Sequence, residues 1–392
     1  MIIPGPGWKR PRPLRKLALL LLAAVLGYVG FFALSAARFD YPVVPPAEKR
    51  LAPRGAYHLH TTASDGRATP EEIARHARDA GLQFVIITDH NQQAPPAPAW
   101  VDGVLVIHGT EVSTRFGHVV ALGLPRPLTD GERDQDPVGA ITRLGGYAFL
   151  AHPEQKKNPW RDWGNAHQMT GLELYSADSM FRTAQQRPFT TFLPAVASYL
   201  GNPVHGLLSV VRGQPELTER LLSLSSGTPK SAVCAHDAHG LPPYDTEFQT
   251  LSMYVPPVAE GTLLHADPRL AAKKILGDLA EGRGWCAFHA LGDGDDFRID
   301  GLSADRSARP GDVLRVALPR STPPEIQVRV WGPATVLEDG RSIRIDGPGA
   351  VQVEVWARVP GMYFEDGWKP WLVPSPIVAA AAPAPSAAPT TP

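Results

Sequence analysis

Short apolar runs in this chain end, one after another, on histidine, aspartate or glutamate. That recurrence constrains the fold more than any other feature of the sequence. The run at residues 56–59 carries His58 and is followed by His60. FVIITDH ends on Asp89 and His90, VLVIHGTE reaches Glu111, AFLAHP reaches His152, and AVCAHDAH carries Asp237 and His239. The runs at 56–59, 84–88, 104–108, 119–122, 147–151, 172–175 and 232–235 are too short for helices and too apolar to have a solvated face, so they read as buried strands. Helix signals lie between them. Thr69-Pro70-Glu71-Glu72 supplies an N-cap, a proline at the first helical position and a capping box; Ile73, Ala77 and Ala80 then form a face, and Gly81 stops the helix. Asp136-Pro137 opens another helix. Strands alternating with helices predict an α/β fold with a parallel sheet or barrel, whose strand ends converge on one face.

Convergence of those ends would build a metal site. In His58-Leu59-His60 the two imidazoles stand at i and i+2, which strand alternation places on one side; Asp237 and His239 follow the same rule. Mixed imidazole and carboxylate donors suit Zn, Mn or Fe. Asp89 is a candidate to orient a ligating imidazole. Among the 13 histidines, His76, His108, His167, His205, His265 and His289 read as ordinary surface or core residues, and His236 alternates away from the site.

Taken as a set, HLHTTASDG, TDHN, GTEVST, GHVVALGL, AHPE and HDAHG resemble the motifs of the PHP (polymerase and histidinol phosphatase) family of metal-dependent phosphoesterases, over roughly residues 55–300. The resemblance implies a distorted (β/α)7 TIM-like barrel with two to three divalent metal ions. By motif, His58, His60, Glu111 and Asp237 would hold the first ion. Glu111 would bridge to a second ion held also by His118 and His152, and Asp65, His90 and His239 would hold a third. Many relatives have a serine before the late Asp-x-His where this chain has His236.

The expected chemistry is phosphoester hydrolysis, with a metal-bridging hydroxide as nucleophile and cation charge meeting the phosphoryl oxygens. Asp237 belongs to that machinery, and His152 or His239 could act as general acid. Arg115, Lys156, Lys157 and Arg161 lie close in sequence to the ligands and could reach a substrate phosphate. Two alternatives stand beside this reading: hydrolysis of a carbamate, amide or carboxylic ester, and a membrane-tethered binding module without catalysis. The substrate is expected to be a small molecule; a net charge of -1 gives no electrostatic reason for nucleic-acid binding.

The flanks differ in character. Residues 1–16 are basic, and the uncharged run at 17–37 is long enough to span a bilayer. Positive charge on its N-terminal side predicts a cytoplasmic N-terminus and a domain outside the membrane or in the periplasm. A cleaved signal peptide, with Ala33-Leu34-Ser35-Ala36 as its site, is the rival. Residues 38–54 form a Pro-rich linker and 55–305 the metallohydrolase domain. Residues 178–230 are a helical insertion, expected as a lid or rim, whose apolar stretches also suit a membrane surface. Period-two alternation marks a small antiparallel β domain at 306–376, with GMYFEDGWKPWLVPSP as its ordered edge; 377–392 is a low-complexity, disordered tail. Cys234 and Cys286 read as buried strand residues, with one disulfide between them if the domain is exported.

Overall fold

A computed structural model of the chain describes residues 12–41, 50–225, 228–303, 305–364 and 366–380. The basic segment up to residue 11, linker residues 42–49 and residues 381–392 of the expected tail lie outside the described residues. The first part of that tail, Ile377–Ala379, is not disordered but forms a strand paired with residues 349–351.

The helix signals act as expected. Thr69 accepts from the Glu72 N–H and the Glu72 carboxylate accepts from the Thr69 N–H, starting the helix Pro70–Asp79. Asp136 caps Pro137–Arg143 through the Gly139 N–H. Each cap contributes about 1 kcal/mol.

The expected strands form, but in two mixed sheets. In one, Arg54–Leu59, Phe84–Ile87 and Val104–His108 run parallel. In the other, Tyr147–Leu150, Gly171–Ser176 and Ser231–Ala235 run parallel, with the hairpin Thr110–Thr114 and Gly117–Leu122 antiparallel at its edge. Only Arg115 and Phe116 join the hairpin strands, too short a link for the crossover a parallel pair requires. Ser252–Tyr254 and Trp285–Ala287 add further antiparallel pairs to the first sheet. The sheets meet at isolated parallel bridges, Leu59 to Ala238 and His90 to Glu111. Among the described residues the architecture is therefore mixed α/β, and no closed, all-parallel barrel ladder is formed. Both bridges lie beside candidate ligands, so the seam between the sheets is where the site forms.

The C-terminal strands appear as Val313–Ala317, Ile326–Trp331, Ser342–Ile345 and Gly349–Arg358. The first and third belong to a separate four-stranded sheet. Gly349–Arg358 instead pairs with Trp368–Pro374, which pairs in turn with Trp285–Ala287. The aromatic C-terminal segment is thus an interior strand rather than the expected edge. Trp371 is fully buried there and donates its indole N–H to the Gly292 carbonyl at 2.7 Å.

Cys234 and Cys286 are buried and joined by a disulfide that ties one sheet to the other across 52 residues. A loop of that length stabilises a fold by about 4 kcal/mol in the chain-entropy account. A Cys234→Ala/Cys286→Ala double variant should lose stability of that order, read from the denaturant midpoint; an unchanged midpoint would contradict a closed disulfide.

The N-terminal helix spans Arg12–Ala36, and its segment Leu14–Ala36 is long and apolar enough to cross a membrane, a test that signal sequences also pass. The insertion folds as helices Ala177–Ala184, Leu193–Gly201, Pro203–Val210 and Pro215–Leu224. Asn202 breaks the middle pair and caps the second of them through the His205 N–H.

Candidate metal centre

His58 (φ 64°), His152 (φ 30°) and Asp237 (φ 52°) all have backbones in the left-handed region. For residues other than glycine this costs on the order of 1–3 kcal/mol each, a strain that folds keep where a site needs it. The doublets therefore do not converge by strand alternation. His58 sits at a register shift between Tyr57 and Leu59, and Asp237 and His239 follow the end of their strand.

The side chains nevertheless meet. His58 Nε2 and His60 Nε2 are 3.1 Å apart. Each lies 3.3 Å from Glu111 Oε2, and they lie 3.5 and 3.3 Å from Asp237 Oδ1. Four donors about 2.1 Å from one tetrahedral ion stand about 3.4 Å apart, so this quartet has the spacing of a metal cage. The other Glu111 oxygen, Oε1, lies 2.6 Å from His118 Nδ1 and 2.9 Å from His152 Nε2, while His90 Nδ1 is 3.1 Å from Oε2. Asp65 gathers a third group, with His239 Nε2 at 3.4 Å, His90 Nε2 at 3.7 Å and His60 Nδ1 at 3.5 Å. All nine expected ligands are thus brought together. The grouping is less partitioned than the motif resemblance implies, because His60 and His90 each face two groups.

The donor set fits divalent ions. Glu111 Oε2, His90 Nδ1 and His152 Nδ1 are buried without a hydrogen bond. An unsatisfied buried polar atom costs about 1–3 kcal/mol, more when charged, and a cation removes that cost. Burial disfavours charge on His58, yet Glu173, Glu111 and Asp237 outweigh it and lift its pKa well above the usual range. Burial likewise opposes charge on His60, but Asp237 and Glu111 raise it to about 9. Against the pull of burial, His58 with His118 and His152 holds Glu111 well below the usual carboxylate range; His58 and His60 do the same for Asp237.

Protons therefore occupy the lone pairs that ions need, and the two compete. Below pH 9 ion binding must displace the His60 proton. The apparent dissociation constant should rise about tenfold per displaced proton for each unit of acidification between pH 8 and 6. Chelator-competition titrations would show this; a pH-independent affinity would contradict it.

Several supporting residues were not expected. Glu173 is buried beneath the cluster, with Oε1 2.6 Å from His58 Nδ1 and Oε2 accepting from the His152 N–H at 2.7 Å. It fixes the His58 ring so that Nε2 faces the other donors. Its only mark in the sequence is a lone charge within the apolar GLELYS. His239 Nδ1 lies 2.7 Å from the Asp237 carbonyl, leaving Nε2 free to bind. Asp89 does not orient an imidazole directly. It accepts from the Thr61 N–H and O–H and from the Ser64 O–H, pinning the loop after His60; Ser64 Oγ stands 3.3 Å from His60 Nδ1. His236 stays outside the cluster, buried between the Tyr57 and Leu251 carbonyls, and burial pushes its pKa down to about 4.

Beside Asp65, Asp237 and His239 lies a cavity of about 380 Å³, walled by Phe181, Leu207 and Val210 of the insertion, which forms its rim. Arg67 and Arg182 line it. The cations singled out in the sequence do not. Arg115 is exposed over the Phe116 ring, Lys156 bonds Gln186, and Arg161 reaches the Arg115 carbonyl. They lie on loops whose direction sequence proximity to His118 and His152 does not determine.

No family model matches the sequence. The chain is 28% identical over 111 residues to an uncharacterized protein of Methanocaldococcus jannaschii; the match covers 24% of this chain and 65% of that protein, just under two thirds of its length. Among solved structures, it is similar to a two-domain protein from Bacteroides vulgatus containing a predicted PHP-like metal-dependent phosphoesterase, at 15% identity and a TM-score of 0.43, covering 86% of this chain and 99% of that one. It is also similar to an amidohydrolase from Chromobacterium violaceum, at 14% identity and a TM-score of 0.28, covering 47% and 87%. Both scores are low, and the chemistry rests on the side chains themselves. In its sequence motifs and among its structural neighbours, the chain resembles the PHP-like metal-dependent phosphoesterases.

Proposed function

We propose that the chain is a metal-dependent hydrolase acting on small-molecule phosphate esters. One observation carries this reading: a single buried carboxylate, Glu111, faces the imidazoles of His58, His60, His90, His118 and His152. Such a cluster suits two to three divalent ions, Zn, Mn or Fe. Bound there, the ions would supply an acidified water and positive charge for the group under attack. Clustered charge favours phosphoryl groups, whose several oxygens share the negative charge of the transition state.

The protein's own groups then have distinct tasks. Glu173 and the Asp237 carbonyl fix the rings of His58 and His239. His239 lines the cavity and, with Nδ1 held by the Asp237 carbonyl, would donate a proton to a departing oxygen from Nε2 only while that nitrogen holds no ion; His152 is buried against Glu111. Arg67 and Arg182 can steady phosphate oxygens at the polar end of the cavity. The apolar helix would anchor this domain on the outer face of a membrane.

A panel of phosphomonoesters, phosphodiesters, carbamates, amides and carboxylic esters tests the reading on the metal-loaded full chain. Phosphate-ester turnover that is lost in His60→Ala is expected. Turnover of carbonyl substrates alone would move the assignment to that class, and no turnover by a folded, loaded protein would favour a binding role.

A further inference from the structure

Residues 188–211 of the insertion contain no Asp, Glu, Lys or Arg. In a water-soluble domain such a stretch would be buried, yet Phe189 is 74% exposed, Leu193 39%, Val196 42% and Leu200 70%. Successive spacings of four, three and four residues line them along one helical face. The opposite face, with Pro194, Ala195, Ala197 and Ser198, is buried.

This stripe adjoins the N-terminal helix. A Cβ at Gly201 would collide with the Ala33 carbonyl oxygen, so the two helices touch backbone to backbone. Tyr28 donates its O–H to the Phe189 carbonyl at 2.9 Å. Phe31 and Phe32 pack against Tyr363, at 4.8 and 5.9 Å between ring centroids, and Phe32 also packs against Phe364. Phe31, Leu34, Tyr363 and Phe364 remain half or more open to solvent. Three separate segments thus build one apolar surface, of the kind that marks an interaction site.

Continuity with the helix indicates what covers it. Residues 14–27 of that helix project with exposed side chains throughout, and only its last turns pack on the domain. Its 23-residue apolar segment rises about 35 Å, against a hydrocarbon core of about 30 Å, so its final turns reach the lipid–water boundary. That is where it meets the stripe. Exposed Arg187 precedes the stripe, and Tyr363, bonded through its O–H to Ser35 Oγ, borders it; both side chains suit headgroup depth.

We propose that Phe189, Leu193, Val196 and Leu200, with Tyr363 and Phe364, insert into the bilayer beside the N-terminal helix and seat the domain on the lipid. The seat lies one helix from the metal-centre cavity, because the adjoining helix Pro203–Val210 carries Leu207 and Val210 on the cavity wall. The proposal rests on the anchor reading and not on the chemistry.

Both native cysteines are disulfide-bonded, so an introduced cysteine is the sole free thiol. The test uses the full chain in nanodiscs of phosphatidylcholine and phosphatidylglycerol that carry nitroxide-labelled acyl chains. A fluorophore is attached at Leu20→Cys in the helix, at Phe189→Cys and Leu200→Cys in the stripe, or at Val313→Cys, an exposed control. Emission should be lost at 20, 189 and 200 and retained at 313. Loss at 20 alone overturns the seat and leaves the anchor standing; loss at none overturns both. Cross-linking between copies through Leu200→Cys without lipid quenching would give the stripe to a second copy and also overturn the proposal.

Discussion

Replacing Glu111 by glutamine should lower kcat by about a hundred- to a thousandfold and reduce the bound metal, while the protein stays folded. The magnitude is that of losing a principal source of transition-state stabilisation. The two oxygens of Glu111 face separate groups of imidazoles: Oε2 toward His58 and His60, Oε1 toward His118 and His152. A neutral amide keeps the shape but places an NH₂ against imidazoles that also need a cation. Circular dichroism and elemental analysis of the variant separate loss of the centre from loss of the fold. Wild-type turnover with reduced metal would show that Glu111 serves only structure.

Glu173→Gln acts at one remove. The carboxylate touches His58 Nδ1 and the His152 N–H rather than the space between the donors. Removing its charge weakens the hold on the His58 tautomer and lowers its basicity, effects that typically cost 10–100-fold in metal affinity or activity. The loss should appear as a weaker metal dissociation constant, with activity partly restored by excess ion. An affinity equal to wild type would mean that packing alone fixes the His58 ring. Glu111→Gln, by contrast, should not be rescued by added ion.

Most of the candidate ligands are legible in the sequence because they lie at or just beyond the end of an apolar run; His118 precedes its run and Asp65 lies in the loop after His60, and both follow only from the motif resemblance. How the ligands meet is not legible. Alternation in His58-Leu59-His60 predicts a shared strand face, whereas the chain bulges at His58 with a positive φ, a conformation that no spacing rule reveals. His118 reaches Glu111 through the short hairpin, where it pairs with Ser113 across the strands; a parallel reading of the same segment hides that contact. Glu173 passes unnoticed because a single acid within an apolar strand carries no motif. Trp368–Pro374 reads as an edge since it contains two prolines, yet one stands beside a register shift and the other ends the strand, places where the missing N–H is tolerated. The lipid-facing stripe is half legible: its lack of charge shows in the sequence, but its exposure depends on how Gly201 and Ala33 bring two distant helices together.

The most direct test of the account is the metal content of the purified full chain, prepared without chelators and analysed beside His60→Ala. Two to three equivalents of Zn, Mn or Fe in the wild type, falling in the variant, is the predicted result. A folded protein that stays free of metal after reconstitution with each of these ions would contradict the account.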